Sequence, residues 1–178
     1  MTLASLFTLA RIVLVPVFMV LILLDPPYGD VLGALVFAAA ALTDTVDGYI
    51  ARRRNEVTRL GIFIDPLADK LLVSAALVTL VSVHLLSAWI AMLILAREFS
   101  VTGLRTLAAA DGIVVGASRW GKLKTVAQVL MVVALLLRLP GAGIVVWVAV
   151  LLTLYSGYDY FQKLYGHLRG SRTLLRRQ

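Results

Sequence analysis

Apolar residues fall in six stretches along this chain, each ended by a short turn or a polar segment. The first covers about Leu6–Leu24 and stops at Asp25-Pro26-Pro27-Tyr28-Gly29-Asp30, where two prolines remove helical N–H groups and constrain the residue before them. The second, about Val31–Arg52, starts apolar and finishes polar, while the third, about Leu60–Leu86, starts acidic and turns apolar after Lys70. Ser87–Ala108 forms a fourth, with Arg97, Glu98 and Arg105 toward its end. Lys122–Leu139 is a fifth, stopped by Pro140-Gly141, and Gly141–Tyr160 a sixth, closing in Tyr155, Tyr158 and Tyr160 as an interfacial aromatic belt would. Several stretches approach the ~20 residues a helix needs to cross a bilayer. The pattern predicts an all-α polytopic membrane protein with six transmembrane helices and no internal repeat. Gly33 and Ala34 are expected to pack helices together.

Composition agrees. Of 178 residues, 61% are hydrophobic and only 15% charged, far from a soluble average, and the length suits a single domain over residues 1–178. Net charge is +7, from 17 Lys and Arg against 10 Asp and Glu, but the basic residues lie between and after the apolar stretches. Membrane lipids and an anionic substrate are therefore the expected partners, not nucleic acid. Without cysteine there is neither a disulfide framework nor a thiolate metal site. Arg11 followed by Ile12–Leu24 could pass for a signal peptide, yet the apolar pattern simply continues and no convincing cleavage site follows.

The loops give orientation. Arg52, Arg53, Arg54 and Arg59 separate stretches two and three; Arg105, Arg119, Lys122 and Lys124 flank the next gap but one; Lys163, Arg169, Arg172, Arg176 and Arg177 follow the last. The alternate loops, 25–30, 84–87 and 138–143, hold only Arg138 among them. The positive-inside rule then puts both termini, and the charged chemistry, in the cytoplasm. His84 and His167 have no ligand spacing and are assigned no chemistry.

Between stretches two and three lies the densest chemistry. Asp44 and Asp47 are three residues apart, Asp65 and Asp69 four apart, so on helices each pair shares a face with Cβ atoms roughly 5–6 Å apart. An aspartate at a bilayer centre costs about 2.5–3.5 kcal/mol, and four close together repel one another. A hairpin could gather all four around two divalent ions about 3.5–4 Å apart. Oxygen-only ligands favour magnesium or manganese. Gly48, Ala51 and Gly61 are small where a ligand would approach, and Arg52 offers a fork suited to phosphate oxygens. The bland alternative is an ion-pair cluster with Arg52–Arg54 and Arg59.

The full pattern, D-x2-D-G-x2-A-R-x8-G-x3-D-x3-D from Asp44 to Asp69, resembles the signature of the CDP-alcohol phosphatidyltransferases. Members are six-span membrane enzymes, commonly dimers, that move a phosphatidyl or similar group from a CDP-linked lipid to an alcohol and release CMP. The resemblance implies that Asp44, Asp47, Asp65 and Asp69 hold two Mg2+ or Mn2+ ions, with Asp69 also the general base. It places Thr8, Asp44, Gly48, Ala51, Arg52, Thr58 and Gly61 at the CDP-lipid, and implies a homodimer in the cell's inner membrane. Ala96-Arg97-Glu98-Phe99, Gly103-Leu104-Arg105 and Gly121-Lys122-Leu123-Lys124-Thr125 look like segments of the branch whose acceptor is sn-glycerol 3-phosphate and whose product is phosphatidylglycerophosphate. Chemically, Arg97, Arg105, Lys122 and Lys124 suit an acceptor that carries its own phosphate. At the N-terminus Thr8-Leu9-Ala10-Arg11 matches a family T-x-x-R element, but Thr2 and Ser5 stand where asparagines are frequent.

Other readings remain open at this level. Arg97 and Arg105 could pair with Glu98 and Asp111, and Lys122 and Lys124 could merely set topology. Phosphatidylglycerol as acceptor would make the chain a cardiolipin synthase, although so much cationic charge suits a free phosphate better. Inositol phosphate or serine is a further acceptor. A cation transporter should carry its charges nearer the midplane, often in repeated halves, and a lipid-binding scaffold would not need a fourth carboxylate.

Overall fold

A computed structural model describes the backbone of residues 3–54, 59–110 and 118–175, and side chains over 9–43, 70–109 and 118–163. The described residues form six helices and no strand: α1 (Leu3–Leu23), α2 (Gly29–Arg54), α3 (Arg59–Ser82), α4 (Ala88–Ala110), α5 (Arg119–Leu136) and α6 (Ala142–Leu175). All six match the apolar stretches to within about four residues, except at the end of α6. α5 begins at Arg119 because Ser118 caps it, its Oγ accepting the Gly121 N–H at 3.1 Å. α6 runs on to Leu175 through the basic tail, well past the tyrosines that close the apolar stretch.

One segment among the described residues, Ala142–Lys163, is both long and apolar enough to cross a membrane unaided. Leu9–Leu23, Gly29–Thr43 and Lys70–Ser82 are the apolar parts of α1, α2 and α3 within the described side chains. The remaining helices carry charge along their length: Arg97 and Glu98 on α4, Lys122 and Lys124 on α5. Their outward faces are nonetheless apolar. Val13, Val17 and Val20 on α1, Trp89 and Met92 on α4, and Trp147, Leu151 and Leu154 on α6 are all exposed. Exposed apolar residues of this kind on each helix suit hydrocarbon as their solvent.

The chain divides into two compact units. The first comprises residues 1–91 and 129–142. In it α1 packs against both α2 and α3. The approach of α1 to α2 depends on Gly33, where a Cβ would lie 2.4 Å from Ile22 Cδ1 and 3.0 Å from its Cγ1. Beside it Ala34 and Ala40 are buried, and the Phe18 and Phe37 rings meet at 5.7 Å and 47°. This is the helix-packing role expected of Gly33 and Ala34. Gly29 opens α2 where a Cβ would press 2.8 Å from the Leu21 carbonyl oxygen.

Two turns of this unit are closed by left-handed residues that are not glycine. After α3, His84 has φ 59°, its N–H bonds the Val81 carbonyl at 3.1 Å, and the Leu85 N–H bonds that of Leu80 at 2.9 Å. After α5, Arg138 has φ 48° and repeats the motif, bonding Leu135 at 3.1 Å while Leu139 bonds Ala134 at 3.0 Å. Both are Schellman caps, in which the terminal carbonyls find their donors locally. His84 is a capping residue, in keeping with its lack of ligand spacing.

The second unit comprises residues 92–128 and 143–178. Its interior is polar where a membrane helix can least tolerate it. Gln128 Nε2 donates to Thr153 Oγ1 at 3.0 Å, the Thr153 hydroxyl donates to the Ala149 carbonyl at 2.6 Å, and Ser156 Oγ donates to the Thr153 carbonyl at 3.0 Å. All three side chains are buried. Each polar atom that cannot reach water must be satisfied inside the protein, which makes the ladder a strong constraint on register.

Candidate active site

The acidic motif straddles two helices. Asp44, Asp47, Gly48, Ala51 and Arg52 lie on α2, and Gly61, Asp65 and Asp69 on α3. Their side chains, that of Thr8, and the whole of Thr58 lie outside the described residues. The backbone register is informative even so. On α2, buried Phe37 and Ala40 lead by steps of three and four to Asp44 and Asp47. On α3, buried Ala76 and Leu72 lead back by the same steps to Asp69 and Asp65. In sequence register both acidic pairs fall at helical steps from those buried positions, in a unit where α1 packs against both helices. Arg11, on α1, is itself buried. Carboxylate oxygens are the hard donors that magnesium or manganese takes. Among the described residues, which leave out those four side chains, no three acidic or histidine side chains gather.

The cationic residues lie in the second unit, and the structure sorts them. Arg97 and Glu98 of α4 are joined by Lys124 of α5 and Ser156 of α6. Arg97 NH1 donates to Glu98 Oε1 at 3.2 Å, Arg97 NH2 donates to Ser156 Oγ at 2.9 Å, and Lys124 Nζ donates to the same Glu98 Oε1. The Arg97, Glu98 and Lys124 side chains are only 13%, 18% and 6% exposed. Arg97 Nε is buried without a hydrogen-bond partner. Arg105 is exposed and lies over the Tyr160 ring, its guanidinium carbon 5.5 Å from the centroid. Lys122 is exposed and is not part of the Glu98 cluster. Of the four cations, then, Arg97 and Lys124 share one centre, while Arg105 sits on an aromatic ring.

These features match a known family. The sequence profile described as CDP-alcohol phosphatidyltransferase covers residues 1–155. The chain belongs to that family. Three similar proteins are each named CDP-diacylglycerol–glycerol-3-phosphate 3-phosphatidyltransferase. The protein of Bacillus subtilis (strain 168) is 47% identical, over 92% of this chain and 95% of its own length. That of Rickettsia typhi (strain ATCC VR-144 / Wilmington) is 41% identical, over 87% of this chain and 92% of its own. That of Salmonella paratyphi A (strain ATCC 9150 / SARB42) is 41% identical, over 92% and 95%.

In this CDP-alcohol phosphatidyltransferase the acidic motif lies on α2 and α3, and a cationic cluster lies on α4, α5 and α6. Several residues around that cluster escaped the sequence reading. Ser156 holds Arg97, and Gly157 lets the Arg97 stem lie close: a Cβ there would stand 3.4 Å from Arg97 Cγ. Tyr160 was expected in an interfacial belt but is 3% exposed, packed with Val101, Leu104 and Ala108. Tyr155 and Tyr158 are exposed as a belt requires, Tyr155 in edge contact with Trp120 at 4.6 Å. The signal for the missed residues was present. Gln128, Thr153 and Ser156 are polar residues inside apolar stretches, which a membrane protein retains only for a reason.

Proposed function

We propose that this chain transfers the phosphatidyl group of CDP-diacylglycerol to sn-glycerol 3-phosphate, giving phosphatidylglycerophosphate and CMP. The observation that carries the reading is the 41–47% identity to three proteins named for this reaction, over nearly the whole chain. The complete acidic signature and the buried cationic cluster support it independently.

In this reading Asp44, Asp47, Asp65 and Asp69 hold two divalent ions, magnesium or manganese. When bound, the ions polarise the pyrophosphate oxygens. Arg52 binds phosphate oxygen through its planar fork, and Thr8, Gly48, Ala51, Thr58 and Gly61 accommodate the CDP portion. Arg97, Arg105, Lys122 and Lys124 attract the acceptor's phosphate. Asp69 takes the proton of the glycerol 3-phosphate 1-hydroxyl as that oxygen bonds to the phosphorus bearing diacylglycerol. The bond from that phosphorus to the CMP oxygen breaks, and CMP leaves with the electron pair.

The same proposal makes the chain a six-span protein of the inner membrane, with both termini and the site facing the cytoplasm, working as a homodimer. Support comes from the apolar outward faces of the helices and from basic loops that alternate with loops nearly free of Lys and Arg. The decisive experiment incubates purified protein with CDP-diacylglycerol, magnesium and separate acceptors: glycerol 3-phosphate, phosphatidylglycerol, inositol phosphate and serine. CMP release with glycerol 3-phosphate alone is the expected result. Release with another acceptor alone, or with none, overturns the assignment.

A further inference from the structure

The cationic cluster contains an anion that its presumed task does not call for. Arg97 and Lys124 bring two positive charges, and Glu98 cancels one. Were charge alone at work, removing Glu98 would make the cluster a stronger phosphate site. The geometry says otherwise. One carboxylate oxygen, Glu98 Oε1, receives donors from α4 and from α5, and a hydroxyl from α6 receives the other arm of Arg97. Three helices are thereby tied through one arginine–glutamate pair. The stem of that arginine runs past Gly157, where a Cβ would stand in contact with its Cγ at 3.4 Å. Left over is Arg97 Nε, a buried donor with no partner. A buried N–H is rarely left so unless something else fills the place in the working state.

We propose that Glu98 is a positioning residue for acceptor binding, holding Arg97 and Lys124 in the one arrangement that meets the acceptor's phosphate. This rests on the reading of Arg97 and Lys124 as acceptor ligands. Glu98 touches no substrate itself; it acts through the two cations it binds. A long arginine and a long lysine, untied, would spread over many rotamers and turn toward water or lipid headgroups. Tied, they present fixed donors, and orientation of the acceptor follows.

The test compares KM for each substrate in the full-length enzyme. Glu98→Ala should raise KM for glycerol 3-phosphate about tenfold or more, as expected for losing hydrogen bonds to charged groups, while KM for CDP-diacylglycerol moves less than about twofold. Glu98→Gln, which keeps an acceptor oxygen, should recover part of the loss. Adding Glu98→Ala to Arg97→Gln should cost less than it does alone, because one of its two targets is already gone. Ser156→Ala should shift acceptor KM in the same direction by a smaller factor, and it serves with Glu98→Gln as the test should Glu98→Ala fail to fold. An acceptor KM that falls or stays unchanged in the folded variants overturns the proposal, as does an equal rise in both KM values. Failure of the underlying reading shows separately, in the wild-type enzyme: if it uses a different phosphorylated acceptor, the KM comparison is made with that compound and Glu98 is judged on it.

Discussion

Gly33 offers the sharpest quantitative check on the packing that carries the acidic helices. A methyl group there would meet Ile22 Cδ1 at 2.4 Å, so that the Ile22 side chain must shift, and Cγ1 at 3.0 Å, a tight contact. Overpacking of this kind costs about 1–3 kcal/mol. Replacing a helical glycine by alanine returns about 1 kcal/mol of propensity. Gly33→Ala should therefore destabilise by roughly 0–2 kcal/mol. Ile22→Val removes Cδ1, the nearer clashing atom, and alone should cost about 0.5–1.5 kcal/mol. Together the two changes should be better tolerated than their sum by about 1 kcal/mol, since neighbours in contact couple. Unfolding of the four proteins in detergent, by denaturant or heat, measures the cycle, and CMP release from CDP-diacylglycerol under the same conditions should rise and fall with it. A double variant whose effect equals the sum of the singles within about 0.3–0.5 kcal/mol would refute the close α1–α2 contact.

Asp69→Asn should lower turnover by about 10²–10⁴-fold with little change in CDP-lipid affinity, measured by CMP release beside equilibrium binding; an active variant removes the base assignment. Chelation with EDTA should abolish CMP release, and added magnesium or manganese should restore it; activity that survives exhaustive chelation rejects the two-ion proposal. His84→Gly and Arg138→Gly should each stabilise by roughly 0.5–1 kcal/mol in thermal unfolding, because both replace a strained left-handed residue. The Arg138 pairing with Asp30, at 3.5 Å and largely exposed, is too weak to reverse that sign. Gln128→Ala should cost about 1–3 kcal/mol by leaving the buried Thr153 hydroxyl without its donor.

What could be read from residues alone was whatever is local. Helix starts and stops, the tight turn at Asp25–Asp30 and the acidic signature all act within a few residues, so spacing reveals them. The Glu98 centre is different in kind: its partners are 26 residues away at Lys124 and, through Arg97, 59 away at Ser156. No periodicity links those positions; only tertiary packing does. Tyr160 was misplaced for the same reason, since its composition matches Tyr155 and Tyr158 and only its face of α6 distinguishes it. The start of α5 was missed for a weaker reason. Ser118-Arg119-Trp120 lacks the apolar pattern, although a serine just ahead of a helix is a recognisable cap.

The length of α6 has a practical corollary. Its 34 residues span about 51 Å at 1.5 Å per residue, whereas a bilayer with its headgroups measures about 40–45 Å. A helix that outreaches the lipid keeps whatever is fused behind it at a set standoff from the surface. Fluorescent or affinity tags added at that end should stay clear of the lipid surface.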